Sequence, residues 1–163
     1  MKSSKAKTRY YIYAIALLPM LLLLGSGIVM LNYHTGAPVE STVLGFDGHA
    51  WMLFHRVVAV ISSVLILLHL SIKTDWLKRL FTFNIKGKFK VSNILIFVFF
   101  LLSFLTAFLS WLVFPDTNVA QLLRGIHNKL GLVLIVLFLL HLFNYYRHLI
   151  ELTKKILLKN VGN

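Results

Sequence analysis

The sequence predicts an all-α transmembrane four-helix bundle with both termini cytoplasmic and a two-helix internal repeat. Three observations predict it. The 163-residue chain is 58% apolar with a mean hydropathy of +0.81, too apolar for a soluble domain of this size. Its apolar residues gather in four runs of about 20 residues, each enough for a hydrocarbon core of about 30 Å. Inside two of those runs lie histidine pairs of identical spacing. His55 and His69 are 14 positions apart, as are His127 and His141, and the second pair follows the first by 72 positions.

The spans are expected at roughly 10–33, 50–72, 92–114 and 126–146, as one membrane domain covering residues 1–163. Lys2, Lys5, Lys7 and Arg9 precede the first span, as in a signal peptide. Its apolar stretch is long and no clear small-x-small cleavage site precedes polar sequence, so an uncleaved span is expected. The second span carries His55 and His69, and the fourth carries His127 and His141. Their contexts match: Leu65-Ile66-Leu67-Leu68-His69-Leu70 against Leu137-Phe138-Leu139-Leu140-His141-Leu142. For the third span the repeat is weaker. Leu24-Gly25-Ser26-Gly27 aligns with Phe104-Leu105-Thr106-Ala107, which needs a first outer loop longer by about eight residues, judged by offsets alone.

Charge orients the spans. Lys73, Lys78, Arg79, Lys86, Lys88 and Lys90 lie between spans 2 and 3, and Arg147, Lys154, Lys155 and Lys159 lie in or after the end of span 4. The other two loops carry Glu40, Asp47 and Asp116. The positive-inside rule puts both termini and the middle loop in the cytoplasm; the membrane expected is a bacterial or archaeal inner membrane. The net charge of +12 therefore follows topology and is no nucleic-acid footprint. No phosphate-binding loop or dinucleotide fingerprint occurs in these residues. There is no cysteine, which excludes disulfides, thiolate metal sites and covalent haem attachment.

Histidine inside a span is costly and usually functional. Fourteen residues advance a helix about 21 Å and return it to within about 40° of the same face. His55 and His69 thus share a face near opposite membrane surfaces, as do His127 and His141. Spans 2 and 4 run in the same direction, so His55 is level with His127 and His69 with His141. Two imidazoles alone suit zinc and copper poorly, since zinc wants four ligands and copper sites add sulfur. Haem solves the count, because the porphyrin supplies four nitrogens and the imidazoles supply two axial ligands. Interhelical hydrogen bonding or a proton path explains a lone histidine as well, but not four in register. No carboxylate lies deep in any span, which speaks against a proton relay.

Small residues make room for a flat ring. Gly131 follows His127 by one turn, and Ala59 follows His55 likewise. Ordinary small-residue helix packing accounts for any single one of these equally well. Arg56 and Lys129 lie near the outer pair, on the side that positive-inside bias leaves poor in cations, and are candidates to meet haem propionates. Lys73 and Arg147 near the inner pair read as snorkelling cations. His34, His49 and His148 read as interfacial. A quinone headgroup near the outer end has His49, Asp47 and Trp51 as candidate partners.

With His-x13-His pairs on its second and fourth helices, and with Thr35-Gly36 and Leu67-Leu68-His69-Leu70, the chain resembles the di-haem cytochrome b superfamily. It is similar to the four-helix core of cytochrome b from quinol–cytochrome c reductases, to the haem core of ferric reductases and NADPH oxidases, and to small bacterial four-helix cytochrome b-like proteins. The resemblance covers nearly the whole chain. It implies an outer haem b on His55 and His127, an inner one on His69 and His141, and electron transfer across a lipid bilayer. The partners expected are a c-type cytochrome, a reductase or the quinone pool. Two alternatives stand beside this: an oxidoreductase acting on quinol, ferric ion or superoxide at a membrane face, and a non-redox transporter or assembly factor.

Overall fold

The structure, a computed structural model, describes residues 2–161, with side chains for 7–8 and 10–154. The side chains of Lys2, Lys5, Arg9, Lys155 and Lys159, used above to orient the chain, lie outside the described residues. Five helices follow one another: α1 (Lys2–His34), α2 (Gly48–Ser71), α3 (Thr74–Phe81), α4 (Lys90–Phe108, continued by a π-helical turn, Leu109–Val113) and α5 (Asn118–Val161). Four are long and apolar enough to cross a membrane: Tyr10–His34, Gly48–Ser71, Lys90–Val113 and Asn118–Lys154.

The four expected spans are all present, with two additions. α3 is a short amphipathic helix in the basic middle loop. Its Trp76, Leu77 and Leu80 are half-buried while Asp75, Lys78 and Arg79 face outward. The Trp76 ring packs 5.8 Å from Phe97 of α4. α5 runs 44 residues, well beyond the expected end of span 4. No glycine or proline interrupts it between Gly131 and Val161, so the helix continues past its apolar part.

The chain folds as two antiparallel hairpins. Tyr33 meets Gly48, Ser26 meets His55 and Tyr13 meets His69 along α1 and α2. Ser103 meets His127 and Asn93 meets Tyr145 along α4 and α5. The closely packed pairs are α1 with α2, α4 with α5, and α1 with α5. The two histidine-bearing helices, α2 and α5, are not among them, so a loosely packed seam separates their backbones. Between the two histidine levels lies the small core: Met20, Val58, Ser62, Leu134, Leu137 and Phe138. Most other apolar side chains on the spans face outward, as a lipid environment requires.

The first outer loop is a compact structure. Asp47 caps α2 by accepting from the Ala50 N–H at 2.8 Å. Trp51 Nε1 donates to Val43 O at 2.9 Å, and the Tyr33 hydroxyl donates to Ser41 O at 2.9 Å. The chain reverses through Leu44 and Gly45, both at positive φ. Gly48 is required by close approach: a Cβ there would lie 3.1 Å from both the Tyr33 ring and Val39 O.

Leu44 in this loop and Phe83 in the middle loop are 83% and 96% exposed. Because the chain has no cysteine, single L44C and F83C variants report sidedness cleanly. In intact cells an impermeant maleimide should label L44C at once and F83C only after permeabilisation. The reverse pattern would show that the basic loop faces outward.

Candidate functional site

The outer level is built by four helices converging on two imidazoles. His55 on α2 and His127 on α5 have ring centroids 6.4 Å apart at an interplanar angle of 71°. Two metal–nitrogen bonds of about 2 Å each, plus two imidazole half-widths, put axial rings on one iron about 6.3 Å apart. The observed separation of 6.4 Å is close to that spacing, so the two imidazoles would suit one metal held between them. Among the described residues no group of three or more His, Cys, Asp or Glu side chains gathers to hold a bare ion. Two imidazoles need a macrocycle to complete the set.

Each outer imidazole is held from behind. Ser26 of α1 lies with its Oγ 2.8 Å from His55 Nδ1 and donates its own proton to Leu23 O at 3.0 Å. With the hydroxyl proton given to Leu23 O, its oxygen accepts from His55 in the Nδ1–H tautomer, the one whose Nε2 is bare. His127 Nδ1 lies 3.0 Å from Ser103 O and 3.2 Å from Ser103 Oγ on α4. A carbonyl only accepts, so here too Nδ1 is the donor. Both outer rings thus keep a bare Nε2 lone pair, the tautomer a metal ligand needs. Gly27 lies against the same ring, where an added Cβ would sit 3.6 Å from His55 Cε1.

Sequence reasoning missed both serines. It aligned Ser26 with Thr106, but the Thr106 hydroxyl bonds Leu102 O and Ser103 O within its own helix. By role, Ser26 corresponds to Ser103, three residues earlier. Three residues are nearly one helical turn, so the offset changed the height while keeping the face. The only trace in the sequence is a small polar residue in an apolar span, which Ser63 shares; burial, which among the described residues marks Ser26, Ser62, Ser103 and Ser110, shows only in the structure.

The inner level differs. His69 and His141 lie within electrostatic reach of one another, and Lys73 reaches both. Tyr13 packs 5.2 Å from His69, and Tyr145 packs 4.8 Å from His141. Asn93 Nδ2 donates to the Tyr145 hydroxyl at 2.8 Å. His141 Nδ1 is buried without a hydrogen-bond partner. Ser62, midway between His55 and His69, is fully buried with its hydroxyl also unpartnered.

The remaining predicted residues spread around the outer level. The Arg56 guanidinium lies 5.3 Å over the Trp111 ring, in the π-helical turn that ends α4. Lys129 is exposed, about 200° around α5 from His127 by helix geometry. Ala59 and Gly131 are half-buried one turn after their histidines, and a Cβ at Gly131 would meet nothing within 4 Å. Asp47 and Trp51 have their polar atoms engaged in the loop, and His49 is exposed.

At the end of the bundle that carries the basic middle loop, Ile72, Lys73, Asp75, Trp76, Arg79, Ile85 and Lys86 line an open cleft of about 230 Å³. Trp76 Nε1 is buried there without a partner.

The family model described as prokaryotic cytochrome b561 matches residues 13–159. No curated protein and no solved structure matches the chain.

Proposed function

This chain belongs to the prokaryotic cytochrome b561 family, integral membrane proteins that transfer electrons on haem b, and we propose that it does so through two haems stacked across the bilayer. His55 and His127 hold the outer haem, and His69 and His141 hold the inner one. The observation that carries this reading is the level outer pair, 6.4 Å apart with both Nδ1 protons engaged. When bound by His55, His127, His69 and His141, haem b would supply one-electron exchange between ferrous and ferric iron. The chain's own residues fix the rest. Ser26 and Ser103 orient the outer rings, Tyr13 and Tyr145 pack the inner ones, and the apolar core between the levels keeps water out. Arg56, whose guanidinium lies over Trp111, is our candidate to meet a propionate, and Gly131 and Ala59 are our candidates for small residues beside the ring. Lys129 is a weaker propionate candidate, being exposed on another face. Family membership sets aside the transporter or assembly-factor reading.

The membrane proposed is the bacterial or archaeal inner membrane, with a partner redox protein or the quinone pool at the ends. A haem assay and redox titration of the purified protein test the core. The expected result is two haems per chain and two resolved transitions; one haem per chain would overturn the two-centre reading.

One observation favours a second reading, in which a quinone or quinol reacts at the cytoplasmic face. The cleft beside Lys73, next to the inner level, is lined by Trp76, Arg79 and Lys86, whereas the outer-loop candidates Asp47 and Trp51 are engaged. Its volume suits a headgroup more than a whole ligand. Adding quinol to the oxidised protein should reduce haem quickly, and more slowly in W76F. Equal rates in both would remove this cleft as the site.

A further inference from the structure

The two histidine levels are built differently at the nitrogen that faces away from a metal. At the outer level, His55 Nδ1–H donates to Ser26 Oγ, which in turn donates to Leu23 O. Ser26 is 2% exposed, so no water competes for that chain of bonds, and linked bonds strengthen one another in a low dielectric. His127 Nδ1–H donates to the Ser103 carbonyl. At the inner level, His141 Nδ1 has no partner, and the nearest ring is Tyr145.

We propose that Ser26 is a positioning residue that tunes the outer haem alone, by holding His55 as a hydrogen-bond donor; this rests on the bis-histidine reading above. Donation from Nδ1 makes the coordinating nitrogen more basic. A more basic axial ligand stabilises ferric over ferrous iron and lowers the potential. The two serines act through different atoms, and that separates a tuning role from a packing one. Ser26 works through its hydroxyl, which alanine removes. Ser103 offers its main-chain carbonyl at 3.0 Å, which alanine keeps, with its hydroxyl the longer contact at 3.2 Å.

The test is a redox titration of the haem-loaded, full-length protein as wild type, S26A, S26T and S103A, with haem content measured in each. Only the difference in this hydrogen bond's strength between the two oxidation states moves the potential, so S26A should shift the equilibrium of one transition toward the reduced form by a few-fold, at most about tenfold. Tenfold is about 59 mV for one electron. The other transition should stay in place, S103A should move little, and S26T, which keeps the hydroxyl, should return the wild-type value. An S26A protein that loses one haem while S26T keeps both also assigns the role to the hydroxyl. The inference is overturned by two haems at wild-type potentials in S26A, by an equal shift in S103A, or by haem loss in both S26A and S26T. If the wild type carries a single haem, the underlying two-haem reading fails instead, and the haem count separates the two failures.

Discussion

Replacing His55 with alanine should leave the purified protein with one haem in place of two, and one redox transition in place of two. The reason is distance. His55 and His69 are separated by 14 residues of α2, about 21 Å of helix, so no iron can draw on both. Losing His55 removes one of two axial bonds at the outer level and touches nothing at the inner one. It also removes the donor to the Ser26 oxygen, while the hydroxyl keeps its own bond to Leu23 O. H127A should give the same half-loaded protein. H69A and H141A should each remove the other transition, and H55A combined with H69A should give a colourless but folded chain. The measurement is haem per polypeptide with the reduced-minus-oxidised spectrum. A single variant that keeps both haems, or that loses both, would contradict two independent levels.

The histidine levels were legible in the sequence because a helix turns on a fixed period. Fourteen positions return to the same face whatever the packing, and two spans running the same way then pair the residues by height. The third and fourth helix contributions were not legible for a different reason. Serine in a span usually bonds a carbonyl of its own helix, as Ser63 does with Ala59 O at 2.8 Å. Ser26 does this too, and only tertiary packing sets its oxygen against His55. No one-dimensional signal separates Ser26 from Ser63. The three-residue error in aligning spans 1 and 3 follows from the same ambiguity, since Ser103 and Thr106 are polar residues nearly one turn apart on one face.

Other departures had a visible cause. α3 is too short to register as apolar, but Trp76, Leu77, Leu80 and Phe81 repeat with helical spacing between charged residues. α5 outruns its apolar part because hydropathy marks where a helix meets lipid, while only a breaker or a cap marks where it stops. The outer loop looked like a place for a ligand because it holds Asp47, His49 and Trp51. Two of those three side chains turn out to close the loop on itself. An aspartate just before an apolar run is more economically read as a helix cap.

In sealed vesicles, the full-length haem-loaded protein should carry electrons from an impermeant reductant outside to ferricyanide trapped inside, and H69A should reduce that rate to the leak of protein-free vesicles. The two levels stand near opposite faces, so an electron crosses only by using both. In such a series arrangement, losing either centre stops the whole path: H69A, H141A, H55A and H127A should be equally inactive even though each keeps one haem. Were the haems two independent outlets, each single variant would keep about half the rate, as parallel conductors do, by the same additivity that holds for independent sites. The rates of the four variants therefore decide between the two arrangements without knowledge of the natural donor or acceptor. Spectra taken during turnover add the order of events. In H69A the outer haem should reduce from outside and then stay reduced, because its electron has nowhere to go. In H55A the inner haem should stay oxidised with the reductant present only outside. An H69A protein that still passes electrons at the wild-type rate would show that the inner histidine level is not on the path, whatever it binds.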